Sequence, residues 1–190
     1  EYDKAILEYS KAEKVAVGCD SLYLGMIYSG KSYTYNCNYN SSQEAYYAQK
    51  TYEIFSKLNI SSYTRAALYR LAVSYHNNDE YENALNVYNR IIDESSDVDF
   101  VLLQSLLGKA HTMIEIEDSD YFVIDNLFRK AHNEYHAEFE ERDYWAWTYS
   151  LYKIGSNNEA EAIMNNIDVS EEYTANFWKS RIYAFLNDWE

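Results

Sequence analysis

Apolar residues recur at helical spacing through most of the chain. Within residues 68–90, positions i, i+3, i+4 and i+7 of the first half are apolar, namely Leu68, Leu71, Ala72 and Tyr75. This spacing predicts one buried face of an amphipathic helix. The polar residues 77–79 interrupt the pattern and are of the types that begin a new helix. A second apolar stripe follows, formed by Ala84, Tyr88 and Ile91. Two amphipathic helices joined by so short a turn are predicted to pack antiparallel.

The same pair of helices recurs along the chain. The stripes of the second helices begin at Ala5, Ala48, Ala84, Ile124 and Ala160, so that successive starts lie 43, 36, 40 and 36 residues apart. The first helices are predicted over residues 22–36, 64–77, 100–114, 143–154 and 173–186. A period of this length is typical of stacked helical repeats, because one pair alone cannot bury its apolar face. We therefore expect about ten helices in antiparallel pairs.

The repeats resemble the tetratricopeptide repeat (TPR) family. The family pattern has a large residue, leucine with a small residue, tyrosine, and later alanine and an aromatic residue. Residues 68–90 match this pattern at Leu71, Ala72, Tyr75, Ala84 and Tyr88. Other repeats match it at Gly30 with Tyr33, at Leu107 with Gly108, and at Tyr144, Trp147 and Gly155. The resemblance covers essentially the whole chain and implies an all-α fold, a right-handed α-solenoid of antiparallel helix pairs. The acidic composition, rich in tyrosine and asparagine, resembles that of bacterial TPR-containing proteins.

We predict a single TPR-like array over residues 1–190. Its full repeats are expected at about 18–60, 61–98, 99–140 and 141–172, between half repeats at 1–17 and 173–190. The opening residues EYDKA are typical of the start of a second helix, and NDWE at the other end has the same pattern. We therefore expect the sequence to be a piece of a longer protein.

The composition supports a helical chain and excludes some partners. Hydrophobic residues make up 47% of the 190 residues, and there are five glycines and no proline, which is fewer turn-forming residues than a β-rich chain needs. The formal net charge of −15 argues against general nucleic-acid binding, which requires a basic surface. No stretch approaches the roughly 18 apolar residues of a membrane span, so no direct membrane insertion is expected. Two cysteines, Cys19 and Cys37, are compatible with a disulfide or with free thiols, so that a cytoplasmic and an envelope or periplasmic location both stay open.

Two motifs resemble sites of chemistry. Residues 25–32, GMIYSGKS, match a phosphate-binding loop letter by letter, but such a loop needs a strand before it, and these residues lie in a predicted helix. His132 and His136 have the spacing of metal ligands on a helix, but they lie in an acidic, solvated stretch without the H-E-x-x-H order. We therefore predict no enzyme activity, no metal site and no cofactor.

Charge is divided unevenly between the two kinds of helix. The five predicted first helices contain seven of the 16 Lys and Arg residues but one of the 31 Asp and Glu residues, Asp143. In the TPR family the first helices line the concave surface, so the resemblance implies a locally basic, aromatic groove. Greater solvation of the outer helices would explain why the first helices carry few charges. It would not explain why those charges are mostly positive while the rest of the chain is mostly negative.

We predict a partner-binding groove on the first helices. Its candidate residues are Lys31, Tyr35, Tyr69, Arg70, Val73, Lys109, Trp145, Tyr149, Phe177 and Arg181. Aromatic residues supply contact area and cations bind carboxylates, which predicts a non-catalytic protein–protein interaction scaffold for a peptide or partner domain with acidic groups. The alternatives are a sensor or regulatory module of a larger signalling protein and a carbohydrate-binding surface protein, in which Trp145, Tyr149 and Phe177 would stack on sugar rings.

Overall fold

The computed structural model describes residues 1–18, 20–116, 118–168 and 172–187. Within these ranges the chain forms ten α-helices, one π-helical turn and no strand. The α-helices are α1 (Tyr2–Ala16), α2 (Ser21–Cys37), α3 (Ser41–Lys57), α4 (Ser61–Asn77), α5 (Tyr81–Glu94), α6 (Phe100–Ile114), α7 (Tyr121–Arg129), α8 (Glu141–Lys153), α9 (Asn157–Met164) and α10 (Glu172–Asn187). The π-helical turn, Lys130–Glu134, directly follows α7.

The predicted alternation of first and second helices is confirmed. The first helices are α2, α4, α6, α8 and α10, and the second helices are α1, α3, α5, α7 and α9. The predicted and observed bounds of the first helices agree to within three residues. None of the helices in the described ranges is long and apolar enough to cross a membrane.

The chain divides into two compact units, Glu1–Ser105 and Leu106–Glu190. In the first unit α1 packs on α2, α2 on α3, α3 on α4, and α4 on α5. In the second unit α8 packs on α7, α9 and α10. The single array over 1–190, with its repeat boundaries, stays a prediction.

Three turns between helices in the first unit contain a non-glycine residue in the left-handed backbone conformation. Tyr39, Asn59 and Asp79 adopt positive φ angles of 53°, 55° and 59° directly after a helix. In the turn after α4, the N–H of Glu80 donates to the carbonyl of Tyr75 at 2.9 Å, which satisfies one of the last helical carbonyls. α4 therefore ends at Asn77 and Asp79 lies in the turn that follows it, whereas the sequence pattern predicted that residues 77–79 cap the start of the next helix. Glu80 occupies the N-cap position of α5 without a side-chain cap bond.

Small residues allow neighbouring helices to approach closely. Ala72 of α4 and Ala84 of α5 are fully buried against each other and against Tyr88, which is 2% exposed. At Gly30 of α2 an added Cβ atom would lie 2.5 Å from the ring of Tyr9 in α1, so that a larger residue there would require this ring to move. Tyrosine rings fill the space that these short side chains leave, as the repeat pattern predicted.

Candidate functional site

Lys31 lies inside the first unit rather than on its surface. The residue is 2% exposed, and its ammonium forms an ion pair with Glu13 of α1. The same ammonium donates to the hydroxyl of Tyr47 at 3.3 Å and lies 4.8 Å from the centre of that ring. The hydroxyl of Tyr28 donates to the other carboxylate oxygen of Glu13 at 3.0 Å. Lys31 therefore links α2 to α1 and α3, and its charge is balanced within the protein.

The pKa values of this cluster follow from burial and from the ion pair. Burial raises the pKa of Glu13, but the hydrogen bonds from Lys31 and Tyr28 outweigh it, and the pKa lies below its ordinary value. Burial lowers the pKa of Lys31, while its contacts with Glu13 and Tyr47 raise it to a net value above the ordinary one. Burial and the hydrogen bond to Glu13 raise the pKa of Tyr28 to about 12. The ion pair therefore stays charged across the neutral range.

The pattern GMIYSGKS does not form a phosphate loop. Residues 25–32 lie within α2, where backbone N–H groups are used in the helix instead of facing a ligand. The lysine of the pattern is Lys31, whose ammonium is bound to Glu13. The pattern is therefore a chance match within a helix.

A cavity of about 360 Å³ lies in the first unit between α2, α3, α4 and the start of α6. We call it the α2–α4 cavity. Its walls include Met26, Phe55, Tyr63, Tyr69, Arg70 and Phe100. Three of these apolar side chains are largely exposed at its edge, since Met26 is 50%, Tyr63 45% and Phe100 70% exposed. Two predicted groove residues, Tyr69 and Arg70, therefore meet at an apolar cavity.

Arg70 is the cation of the α2–α4 cavity. Its guanidinium lies 5.2 Å from the centre of the exposed ring of Tyr33. No carboxylate in the described ranges lies within ion-pair distance of it, but its charge acts on the buried Glu44 and helps to lower the pKa of that carboxyl, which burial raises. The two remaining predicted residues of this unit, Tyr35 and Val73, are half-buried, and the ring of Tyr35 stacks on that of Tyr47 at 5.6 Å.

In the second unit, Arg181 of α10 lies among three aromatic rings. Its guanidinium is 5.2 Å from the ring centre of Tyr149, 5.6 Å from that of Phe177 and 5.1 Å from that of Trp178. It also forms an ion pair of 2.8 Å with Glu115, the residue that follows α6. The fold thus brings Tyr149, Phe177 and Arg181 together, but Glu115 already binds the cation. Of these rings Phe177 is 46% exposed, whereas Tyr149 is nearly buried.

Trp145 and Lys109 complete the predicted set. Trp145 is 1% exposed, its indole N–H donates to Glu141 at 3.1 Å, and the ammonium of Lys179 lies 5.5 Å from its ring. It therefore packs within the second unit and is closed to a partner. Lys109 is half-buried and has no ion pair within the described part of the chain.

Asp143, the one acid predicted on a first helix, has a structural role. It is 3% exposed, and one of its carboxylate oxygens lies 2.7 Å from Nε2 of His111 in α6. The other oxygen accepts from the backbone N–H of Glu140 at 2.9 Å as part of a capping box at the start of α8. This acid therefore anchors α8 to α6 and is not presented to a ligand.

His132 and His136 do not form a pair of metal ligands. His132 lies in the π-helical turn, which ends before His136, and His136 has a φ of 54°. Spacing by four residues therefore does not place the two imidazoles on one helix face. Across the described ranges, no three or more His, Cys, Asp or Glu side chains are placed to hold a metal ion. Cys37 is a free thiol, and Cys19 lies outside the described residues.

Helical periodicity alone does not identify the apolar edge of the α2–α4 cavity. Tyr63 and Phe100 lie in the first turns of α4 and α6, outside the apolar stripes that define the repeats. The same holds for Glu44, which is 1% exposed and accepts from the amides of Asn36 at 2.9 Å and Asn77 at 3.2 Å. Burial raises the pKa of Glu44, and these hydrogen bonds only partly offset the effect.

Comparison with known proteins establishes the fold and no more. No family model and no curated protein matches the sequence. The crystal structure of the apo form of RapI, a TPR-like helical protein, matches with a TM-score of 0.76, covering 97% of this chain and 68% of RapI. The two sequences are 19% identical over this match. The predicted all-α solenoid of antiparallel helix pairs is therefore confirmed, and the TPR resemblance is supported at the level of a TPR-like helical-repeat fold.

Proposed function

We propose that the chain is a non-catalytic protein-interaction scaffold that binds a peptide segment carrying an apolar side chain next to an acidic group. The α2–α4 cavity is the observation that carries this proposal. It combines an apolar interior with an arginine that has no carboxylate partner in the described ranges.

The apolar walls favour an inserted side chain from a partner. Met26, Tyr63 and Phe100 expose large apolar surfaces around one opening, where a leucine or phenylalanine would remove them from water. Burial of one such side chain contributes roughly 1.5–3 kcal/mol. Aromatic and aliphatic anchors in a pocket are the usual centres of protein interfaces.

The charge favours an acidic group beside that anchor. A guanidinium binds a carboxylate through two parallel hydrogen bonds, and the half-buried Arg70 lines the cavity. The chain as a whole has a net charge of −15, so that acidic partners are repelled at long range. Selectivity for an acidic group must therefore come from local contacts such as this one.

The other predicted groove residues take different parts in the proposal. Tyr69 and Val73 extend the contact surface of the first unit, while the exposed ring of Phe177 and the half-buried Lys109 are the candidates in the second unit, where Tyr149 is buried. Three other predicted residues have partners within the protein: Lys31 binds Glu13, Trp145 binds Glu141 and Arg181 binds Glu115. We assign them a structural role. A buried Trp145 also removes one of the rings on which carbohydrate binding would depend.

Two substitutions test the proposal. Linear peptides are selected from a random display library on the immobilised chain, and their binding is measured by fluorescence anisotropy. Ala66 is exposed and lines the cavity, so Ala66→Trp fills the cavity from the surface and should abolish binding. Arg70→Gln should weaken an acidic peptide about 10-fold, which corresponds to the loss of one charged hydrogen bond.

Matched variants separate the cavity from general effects. Arg90→Gln removes the same charge from the exposed face of α5, and Ala162→Trp adds the same ring to an exposed position on α9. Both should leave peptide affinity unchanged. The proposal fails if selected peptides bind equally well to Ala66→Trp, or if Arg70→Gln and Arg90→Gln weaken binding by the same factor.

A further inference from the structure

A bidentate ion pair joins α4 to the segment between α5 and α6. One terminal nitrogen of the Arg65 guanidinium donates to Asp99 at 2.6 Å, and the other donates to the second carboxylate oxygen at 3.1 Å. This second nitrogen also donates to the hydroxyl of Ser95 at 2.7 Å. Ser95 and Asp99 are the first and last residues of the segment 95–99, which we call the α5–α6 connection. Arg65 therefore holds both ends of this connection to α4.

Each end of the α5–α6 connection is also bonded to the helix beside it. The hydroxyl of Ser95 donates to the carbonyl of Ile91 in α5 at 2.6 Å. The carboxylate of Asp99 accepts from the backbone N–H of Leu102 at 2.9 Å and so caps the start of α6. Burial raises the pKa of Asp99, but the hydrogen bonds from Leu102 and Arg65 outweigh it, and the pKa lies below its ordinary value. One charged side chain therefore both caps α6 and binds α4.

The ion pair lies next to two parts of the α2–α4 cavity lining. The two residues that follow Arg65 in α4 line the cavity, and so do Phe100 and Val101, the two residues that follow Asp99. Phe100 is 70% exposed, so that packing of its own ring fixes its position only weakly. The place of this ring therefore depends on the backbone at the start of α6, which the carboxylate of Asp99 caps.

The geometry of this contact requires an arginine. A guanidinium offers its donors in a rigid, planar fork, whereas the ammonium of a lysine is a point charge on a flexible stem. Two parallel bonds to one carboxylate fix the orientation of both groups as well as their distance. The side chains of Arg65 and Asp99 are 26% and 41% exposed, so the pair is expected to add little to the stability of the fold as a whole. Its main effect is therefore on local geometry.

We propose that Arg65 is a positioning residue for the α2–α4 cavity, because it holds the wall against which the apolar side chain of the partner packs. By binding Asp99 it keeps the first turn of α6, and with it Phe100, in place at the cavity edge. Without this ion pair the wall can move outward, and an inserted side chain loses part of its contact. This role rests on the peptide binding proposed above and adds the residue that fits the cavity to the anchor.

Fluorescence anisotropy with one peptide and its alanine variant tests this role. The peptide is the tightest binder from the display library, and its anchor is the apolar residue whose replacement by alanine costs the most affinity. Arg65→Gln should weaken the parent peptide about 10-fold, because the anchor loses part of its burial. It should leave the affinity of the alanine variant unchanged. Asp99→Asn keeps an oxygen that can accept from Leu102 but loses the ion pair, so it should reproduce Arg65→Gln, with no further loss in the double variant.

Two further variants separate positioning from general effects. Arg90→Gln removes the same charge from an exposed ion pair with Glu94 and should bind both peptides like the unmodified chain. Arg65→Lys keeps the charge without the two parallel bonds and should have an intermediate affinity. It replaces Arg65→Gln if that variant loses its helical circular dichroism. Equal weakening of the parent peptide and its alanine variant would overturn the positioning role, as would unchanged affinity of a folded Arg65→Gln.

Hydrogen exchange of the free chain, followed by mass spectrometry, needs no peptide. The amides of residues 95–104 should exchange about 10-fold faster in Arg65→Gln than in the unmodified chain, while those of α2 and α3 stay unchanged. Unaltered exchange at residues 95–104 would overturn the positioning role whether or not a peptide binds. Faster exchange in a chain for which no binding peptide is found would refute the proposed function, but it would support the hold of Arg65 on this wall.

Discussion

Replacement of Lys31 by methionine tests whether this residue serves the fold or a ligand. Methionine keeps the apolar stem and removes the ammonium that binds Glu13 and Tyr47. Loss of one partner of a buried ion pair costs about 3–5 kcal/mol, and loss of an exposed pair costs about 0.2–1 kcal/mol. The side chain of Lys31 is 3% exposed and that of Glu13 is 27% exposed, so the pair lies between these limits. We expect Lys31→Met to lower the free energy of unfolding by about 2 kcal/mol.

The measurement is a double-mutant cycle by urea unfolding, followed by far-ultraviolet circular dichroism. Glu13→Gln in the Lys31→Met background removes the uncompensated carboxylate and should recover part of the lost stability, with a coupling energy of about 1 kcal/mol or more. Lys11→Met is the matched control, because its pair with Glu8 has side chains 62% and 59% exposed. It should change stability by less than about 0.5 kcal/mol.

The pH dependence follows from the same pair. The pKa of Glu13 is lowered in the folded chain, so the stability from this carboxylate is complete above its ordinary pKa and is lost as the pH falls through the lowered value. The pKa of Lys31 is raised, so its contribution is complete below the ordinary lysine pKa. The difference between the unmodified chain and Lys31→Met should therefore be constant near neutral pH and shrink in acid. The structural role of Lys31 would be refuted if the effects of Lys31→Met and Glu13→Gln on stability were additive. It would also be refuted if Lys31→Met were as stable as the unmodified chain but no longer bound peptide.

Two further substitutions test the packing of the first unit. Burial raises the pKa of Glu44, so the folded chain loses stability from this group as the pH rises above the ordinary glutamate pKa. Urea unfolding of Glu44→Gln and of the unmodified chain should therefore show the variant gaining relative stability between acid and neutral pH. A stability difference that does not change with pH would contradict this. Ala84→Leu overfills the contact with Ala72 and should cost about 1–3 kcal/mol in thermal unfolding, whereas Ala66→Leu, at an exposed position, should cost less than about 0.5 kcal/mol.

The positions of the helices could be predicted from the sequence because they depend on local periodicity. An apolar stripe with a period of 3.6 residues can be recognised without knowing which helix it packs against. Short side chains such as Ala72 and Ala84 indicate where two helices are in contact. The order of first and second helices followed from the repeat alone. The predictions were less accurate at the ends of helices. Asp79, for example, has the residue type of a helix N-cap but adopts the left-handed conformation in the turn after α4.

The partner of each charge could not be predicted in the same way. Lys31 and Arg181 have equivalent places in their repeats, but Glu13 comes from the preceding helix and Glu115 from the end of α6. When charges are counted helix by helix, Glu13 and Glu115 are assigned to other segments. The count therefore does not show that these two acids pair with cations of the first helices. Arg70, on the same kind of helix, has no such acid within the described ranges.

The sequence by itself determined the helices, their alternation and the small residues at their contacts, since each depends on neighbours within a few turns. Tertiary structure alone decided which cations were neutralised, that Trp145 is buried, and that the α2–α4 cavity exists. A cavity is the space that several helices leave between them. Its size and lining depend on distances between residues far apart in the chain, which no local pattern contains.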